Sequence, residues 1–187
     1  MKINKQLNLV VPIDSEEGEI YFYSSPIHRE VFKKYSLVIC KAFTELLQNG
    51  LETTGAQIAA NHLEEVAISM GKWEGEHGVK NGLMEEIARL TNVLVLTDEG
   101  WDTVPVNLAL SRGFISEDDW EEAKQRIVFF TLVSVMTPPA VRNDLCLIMN
   151  STWGTQTGLW TAMEFINSLQ TSTNAKNTKK KQSSVPV

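Results

Sequence analysis

Residues 82–105 read GLMEEIARLTNVLVLTDEGWDTVP, and the class of the whole molecule turns on how far a helix runs into them. Leu83, Ile87, Leu90 and Leu94 fall at helical spacing, so the periodicity predicts a helix through Leu94, with DEGWDTVP (98–105) as the turn that follows it. With that assignment the middle of the chain is helical, and only its N-terminal part is β.

Residues 3–24 predict a β-hairpin. INKQLNLVVPI alternates in part, DSEEG supplies turn chemistry, and EIYFYS is rich in β-branched and aromatic residues. Ser25-Pro26 reads as an N-cap followed by proline at the first helical position. The next helix carries a stripe of Val31, Tyr35, Val38, Ala42 and Leu46, widened by Phe32, Ile39 and Phe43. A second helix from about Thr54 presents Ala59, Leu63, Val66, Ala67 and Met70 before Gly71. GKWEGEHG (71–78) is expected to be a flexible connector. A short helix over 105–112 closes at Gly113, and Ser116 with Asp119 forms a capping box for a helix that carries Trp120, Ala123, Ile127 and Phe130 on one face. Two further short helices are expected over about 139–149 and 158–169. The expected fold is mainly α (α+β): one globular domain over 1–170, with a β-hairpin at 3–24, a compact bundle of six to seven helices over 26–169, and a disordered tail at 171–187.

Charge narrows the function. The chain has 17 Lys and Arg against 23 Asp and Glu. Four of the lysines (Lys176, Lys179, Lys180, Lys181) and no acid lie in residues 171–187, which leaves 13 bases and 23 acids before them, a formal charge of −10. A surface so acidic repels phosphate, which argues against nucleic-acid binding. LALSRGFISEDDWEEAKQRI has the rhythm of a helix-turn-helix. Its second helix opens on Glu117, Asp118 and Asp119, however, where a recognition helix needs basic or amide side chains. An αα-corner is expected instead.

No membrane span or secretory leader is expected, because the apolar run Leu9–Ile13 is short, interrupted by Pro12 and followed by acids. Cys40 and Cys146 lie in apolar helical runs and read as buried reduced thiols. His28, His62 and His77 have no metal-ligand spacing, so no metal or cofactor is expected. His62 reads as part of a solvated helix face, with Glu65 three residues on. The glycines and lysine of GKWEGEHG are not in the order of a phosphate loop. No nucleophile has a base beside it in sequence, and the paired acids read as solvating faces, so the chain is expected not to be an enzyme. Tryptophan in loops is either a helix anchor or a contact residue. Trp153 and Trp160, which flank GTQTG, are the candidates for partner binding.

Three stretches in order, LNLVVPI…GEIYFYSSPIHREVFKKYSLVICKAF, GLMEEIARLTNVLVLTDEGWDTVPVNLALSRGFI and WGTQTGLWTAMEFINSLQTST, resemble the tail assembly chaperones of long-tailed (siphovirus-type) bacteriophages, over nearly all of residues 1–175. The resemblance implies a non-enzymatic morphogenesis factor in the host bacterial cytoplasm, absent from the mature virion. It would bind the tape measure protein, keep it soluble and help recruit tail tube subunits through a longer form. Self-association is left open. The alternative is a structural tail completion or adaptor protein retained in the virion; an enzyme with an unrecognised site is the weakest reading.

The resemblance also implies that this chain is the short member of a pair, the long one made by a backward ribosomal slip of one base. Lysine codons are AAA or AAG, so Lys179, Lys180 and Lys181 within NTKKKQ (177–182) fit an A-rich slippery run. The expected outcome of sequencing codons 177–182 is a slippery heptamer; AAG codons interrupting the run would remove the frameshift expectation.

Overall fold

The computed structural model describes residues 8–15, 18–48, 55–97, 100–136, 144, 156–158 and 162–168. The expected helical bundle is not what forms. The described residues build a five-stranded antiparallel sheet with helices packed on it. Strands β1 (Asn8–Ser15) and β2 (Gly18–Ser24) form the predicted hairpin. Beside them lie β3 (Thr91–Thr97), β4 (Gly100–Pro105) and the three-residue β5 (Gln156–Gly158), in the order β4-β3-β2-β1-β5.

The error lay in residues 91–105. The helix predicted through Leu94 ends at Arg89, and TNVLVLT runs on as a strand. Leu94 satisfies both periods, but Val93 and Val95 on either side of it are β-branched and prefer a pleated surface. Val93 pairs with Phe22 on one side and Val104 on the other, all three facing the helices. Leu94 faces the opposite way and joins Val10 and Tyr23 in a second, smaller apolar cluster. The expected turn DEGWDTVP supplies β4, which Gly100 enters at φ +124°.

On the inner face lie α3 (Glu85–Arg89), α4 (Val106–Ser111) and α5 (Glu117–Met136), and α1 (Arg29–Gln48) and α2 (Gly55–Ser69) pack on α5 and on each other. Helix α1 buries Tyr35, Val38, Ile39, Ala42 and Leu46, as its periodicity predicts. It starts three residues after Pro26, with His28 O accepting from Phe32 N at 3.0 Å. Cys40 is half-buried on α1, its thiol donating to Met136 Sδ at 3.6 Å; Cys146 lies outside the described residues. Helix α5 buries Trp120, Ala123, Ile127 and Phe130, also as predicted. Phe22 reaches across from the sheet to stack on Trp120, with ring centroids 6.1 Å apart. Phe22 and Phe130 are fully buried, and each contributes roughly 1.5–3 kcal/mol relative to exposure.

Helices α2 and α5 are locked at two points. Gln125 accepts from Ala60 N at 2.8 Å and donates to Asn61 Oδ1 at 3.0 Å, so its buried amide is paired at both ends. Gly55 lies so near Phe129 that a Cβ there would be 2.8 Å from its ring. A further short helix, α6 (Ala162–Ser168), places Ile166 on the outer-face cluster of Val10, Tyr23 and Leu94. Of the two short helices expected near the C-terminus, this one falls within its predicted range, and the other lies almost wholly outside the described residues.

Residues 71–78, expected to be a flexible connector, are tightly bonded. Gly71, at φ +63°, closes α2, with Lys72 N donating to Ala67 O and Gly71 N to Ile68 O. Val79 N then reaches Lys72 O at 2.8 Å and Lys80 N reaches Trp73 O at 3.1 Å. A π turn, Lys80–Met84, leads into α3, with Met84 N donating to Val79 O. Tyr35 explains the widened turn. Its hydroxyl donates to Gly78 O at 3.2 Å, and its ring fills the space where residue 82 would carry a side chain. A Cβ on Gly82 would fall 1.6 Å from Tyr35 Oη.

Gly82→Ala is therefore expected to destabilise the protein by roughly 1–3 kcal/mol through overpacking, lowering the melting temperature by several degrees. Adding Tyr35→Leu should recover part of the loss. Thermal denaturation of both variants checks this; equal melting temperatures for Gly82→Ala and the parent chain would contradict the packing described.

Candidate partner-binding cleft

Two broad hollows lie on the surface of the described residues. One, of about 1010 Å³, lies between α2, the π turn, α3 and α5, and is lined in part by Asn61, Trp73, Trp120 and Lys124. Its three cations already have carboxylate partners: Lys80 with Glu74, Arg89 with Glu86, and Lys124 with Glu121. The guanidinium of Arg89 holds the Glu86 carboxyl below its usual range.

The second hollow, of about 870 Å³, is different in kind. It forms where the tip of the β1–β2 hairpin, the β3–β4 end of the sheet and the α4–α5 corner meet. The corner is made by Gly113, whose φ of +71° ends α4, with Phe114 N bonding to Ala109 O and Gly113 N to Leu110 O. That turn puts Phe114 into solvent, 43% exposed, while Ile115 returns to the core. Leu96, at the end of β3, is 45% exposed. Trp101 on β4 is half-buried, its ring edge-on to Tyr21 at 6.1 Å. Ile20 and Phe114 line the cleft on the side of the helices, whereas Leu96 and Trp101, paired with each other and of the same parity as Leu94, reach it from the outer face of the sheet.

Around them are carboxylates. Asp14, Glu19, Asp118, Asp119 and Glu122 line the cleft, and no Lys, Arg or His does so among the described residues. Three are engaged. Glu19 accepts from the Tyr21 hydroxyl at 2.5 Å, and burial of that phenol, reinforced by the carboxylate, pushes its pKa up to about 12. Glu122 pairs with Arg126 at 2.6 Å, whose other guanidinium nitrogen donates to Pro12 O at 2.9 Å.

Asp119 completes the predicted capping box with Ser116. It accepts from Ser116 N at 2.9 Å and Ser116 Oγ at 2.7 Å, while Asp119 N donates to Ser116 Oγ at 3.1 Å. Ser15 Oγ adds a bond at 3.3 Å from the hairpin, so one carboxylate ties the hairpin tip to the start of α5. Burial alone would raise the pKa of Asp119, but the bonds from Ser116 and Ser15 outweigh it and hold the carboxyl below its ordinary value. Asp14 and Asp118 are exposed and form no ion pair among the described residues.

Trp153 and Trp160, singled out in the sequence for partner contact, lie outside the described residues, as do Lys179, Lys180 and Lys181. Of the other tryptophans, Trp73 is half-buried and packs against the main core, an anchor rather than a contact. His62 is not on a solvated face. Its Nε2 is buried and points at Glu45 on α1, 3.4 Å from Oε2 but without hydrogen-bond alignment. No group of three metal-ligating side chains occurs among the described residues, and no described helix is long and apolar enough to cross a membrane. Comparison with protein-family models, curated proteins and solved structures finds no match for the chain.

The depressed Asp119 pKa gives a signed expectation. Its contribution is fully present above its ordinary value of 3.8 and is lost as pH falls through the lower folded-state value. Asp119→Ala should cost about 1 kcal/mol near neutral pH through the lost cap. The difference from the parent chain should shrink as the pH is lowered through the acid limb. Urea denaturation at descending pH measures both; a difference that does not change with pH would contradict the assignment.

Proposed function

We propose that this chain is a non-enzymatic bacteriophage tail assembly chaperone, which binds the tape measure protein, keeps it soluble and helps recruit tail tube subunits. Three sequence stretches in the right order support it by resemblance. The structural observation that carries it is a hollow lined by Asp14, Glu19, Asp118, Asp119 and Glu122, with no cation among the described residues that line it, at whose borders Leu96 and Phe114 are exposed. A tape measure protein is a long helical chain with much apolar surface. A helper for it needs an apolar seat for amphipathic segments and enough like charge to keep the complex dispersed. Exposed leucine and phenylalanine supply the first requirement. The formal charge of −10 over residues 1–170 supplies the second.

On this proposal the protein acts in the host bacterial cytoplasm and leaves before the virion is complete. A longer form carries the contact to the tube subunits, and Lys179, Lys180 and Lys181 mark the codons at which the two forms diverge.

Co-expression of this chain with the tape measure protein of the same phage should move the tape measure into a soluble complex recovered by pull-down. Insoluble, unbound tape measure would overturn the proposal for this form. Mass spectrometry of purified virions should not detect the chain; stoichiometric recovery there would make it a structural tail protein instead.

A further inference from the structure

Positive charge that no carboxylate neutralises is gathered in one region of this acidic chain. Among the described residues Lys41, Lys80, Arg89, Lys124 and Arg126 each pair with a glutamate. Arg29, Lys33, Lys34, Lys72 and Arg112 form no ion pair there. Arg29, Lys33 and Lys34 lie in the first two turns of α1, and Lys72 follows the end of α2. The backbone of Lys72 is fixed on both sides, its N donating to Ala67 O at 2.8 Å and its O accepting from Val79 N at 2.8 Å.

Lys34 and Lys72 meet at a third, smaller hollow of about 370 Å³, lined also by Tyr35, Leu37, Val38 and His77. Helix periodicity gives the same arrangement independently. Lys34, Leu37 and Lys41 are three and four residues apart on α1 and share one face. Lys41 Nζ reaches Ser69 Oγ, at the end of α2, at 3.3 Å, so this face of α1 runs beside the point from which Lys72 emerges. Tyr35 and Val38 are buried, whereas Leu37 is 61% exposed. Lys34 Nζ lies 5.1 Å from the Tyr35 ring centroid, a cation–π contact that steadies the ammonium without neutralising it. Glu74 lines the hollow too, but its carboxylate is bonded to Lys80 at 3.1 Å. Glu30 and Glu76, close in sequence, do not line it.

We propose that this hollow is a docking site for an acidic segment of a partner protein, its carboxylates against Lys34 and Lys72 and an apolar side chain against Leu37. A basic segment would meet two ammonium groups here and a carboxylate already engaged, so the site selects by repulsion as well as by attraction. The ends of the chain do not carry the charge for it, since residues 1–7 and 169–187 contain no Asp or Glu. A nucleic acid would bring its phosphates against a body of formal charge −10. A second copy of the chain carries acids, but its like net charge opposes the approach.

The probe is a short Leu/Glu peptide, with a Leu/Lys peptide as its counterpart, each titrated into the isotopically labelled full chain and followed by NMR. The Leu/Glu peptide should shift the amide signals of Lys34, Leu37, Lys72 and His77 more than others, and should bind at least about tenfold more tightly than Leu/Lys. Lys34→Gln with Lys72→Gln should weaken binding about fivefold, and Leu37→Ser about threefold. Arg112→Gln, which removes an unpaired cation elsewhere, should change it less than about twofold. Lys34, Leu37, Lys72 and Arg112 are all exposed, so these variants should keep the melting temperature of the parent chain. The shift map of the unsubstituted chain requires no variant at all.

Four outcomes would overturn the proposal. One is equal binding of the two peptides, or binding of neither. Another is a shift map centred away from Lys34 and Lys72, or a loss with Arg112→Gln as large as with the lysine pair. The third is full displacement of the peptide by inorganic phosphate at matched ionic strength, which would make the hollow a small-anion site. The fourth is self-association of the free chain abolished by Lys34→Gln with Lys72→Gln, which would make a second copy the occupant. The peptide contains no tape measure sequence, so its failure is separate from failure of the co-expression test.

Discussion

The molecule depends on the place where a helix hands over to a strand. Thr91 follows directly after Leu90 at the end of α3, and its hydroxyl makes two bonds. It donates to one oxygen and accepts from the other: Ile87 O, one helical turn back at 2.8 Å, and Ser24 Oγ, on the neighbouring strand at 3.0 Å. Thr91 and Ser24 are both buried, so neither hydroxyl has water as an alternative partner. Ser25 N closes the same junction by bonding to Leu90 O at 3.1 Å. These bonds set the register of β3 on β2, and a register error of one residue would send Val93 outward and Leu94 inward. Everything downstream, including β4 and the α4–α5 corner, is built on that choice.

What was legible in the sequence follows from how local the controlling interactions are. The hairpin, the buried faces of α1, α2 and α5, the Ser116–Asp119 cap and the glycine stop at 113 are each decided within a few residues, and their patterns predict them. Residues 91–105 were not legible because Leu90 and Leu94 continue a helical stripe as well as they fit a strand. Only the partners at Phe22 and Val104, far away in sequence, decide between the two. The order of the bonds in residues 71–80 was hidden for the same reason, since it answers to Tyr35 on another element. Nothing local in the sequence brings Trp101 on β4 and Asp118 on α5 to the lining of one hollow. The cleft exists only after the hairpin, the sheet and the α4–α5 corner have been assembled.

Charge is distributed to match. Glu117, Asp118 and Asp119 crowd the first turn of α5, where the positive end of the helix dipole stabilises them. Asp119 is used up in holding the fold together, and Asp118 is left over. The same short run thus serves architecture with one carboxylate and the surface with its neighbour. In the larger hollow the reverse holds, because each cation there is neutralised by a glutamate on the same part of the chain.

The contact between Tyr35 and Gly82 also bears on how relatives of this protein could be recognised. Two residues on separate elements share one volume, and neither can grow unless the other shrinks. Gly78 is bounded too, since a Cβ there would meet the backbone oxygen of Trp73 at 2.3 Å. A diverging lineage that keeps this architecture is free to redraw its surface charges and most of its apolar core by volume-conserving exchange. It is not free to enlarge position 78, and it can enlarge position 82 only if position 35 shrinks. Those three positions form a sparse fingerprint that would persist after overall identity has faded, and they offer a structural criterion for kinship where sequence comparison is silent.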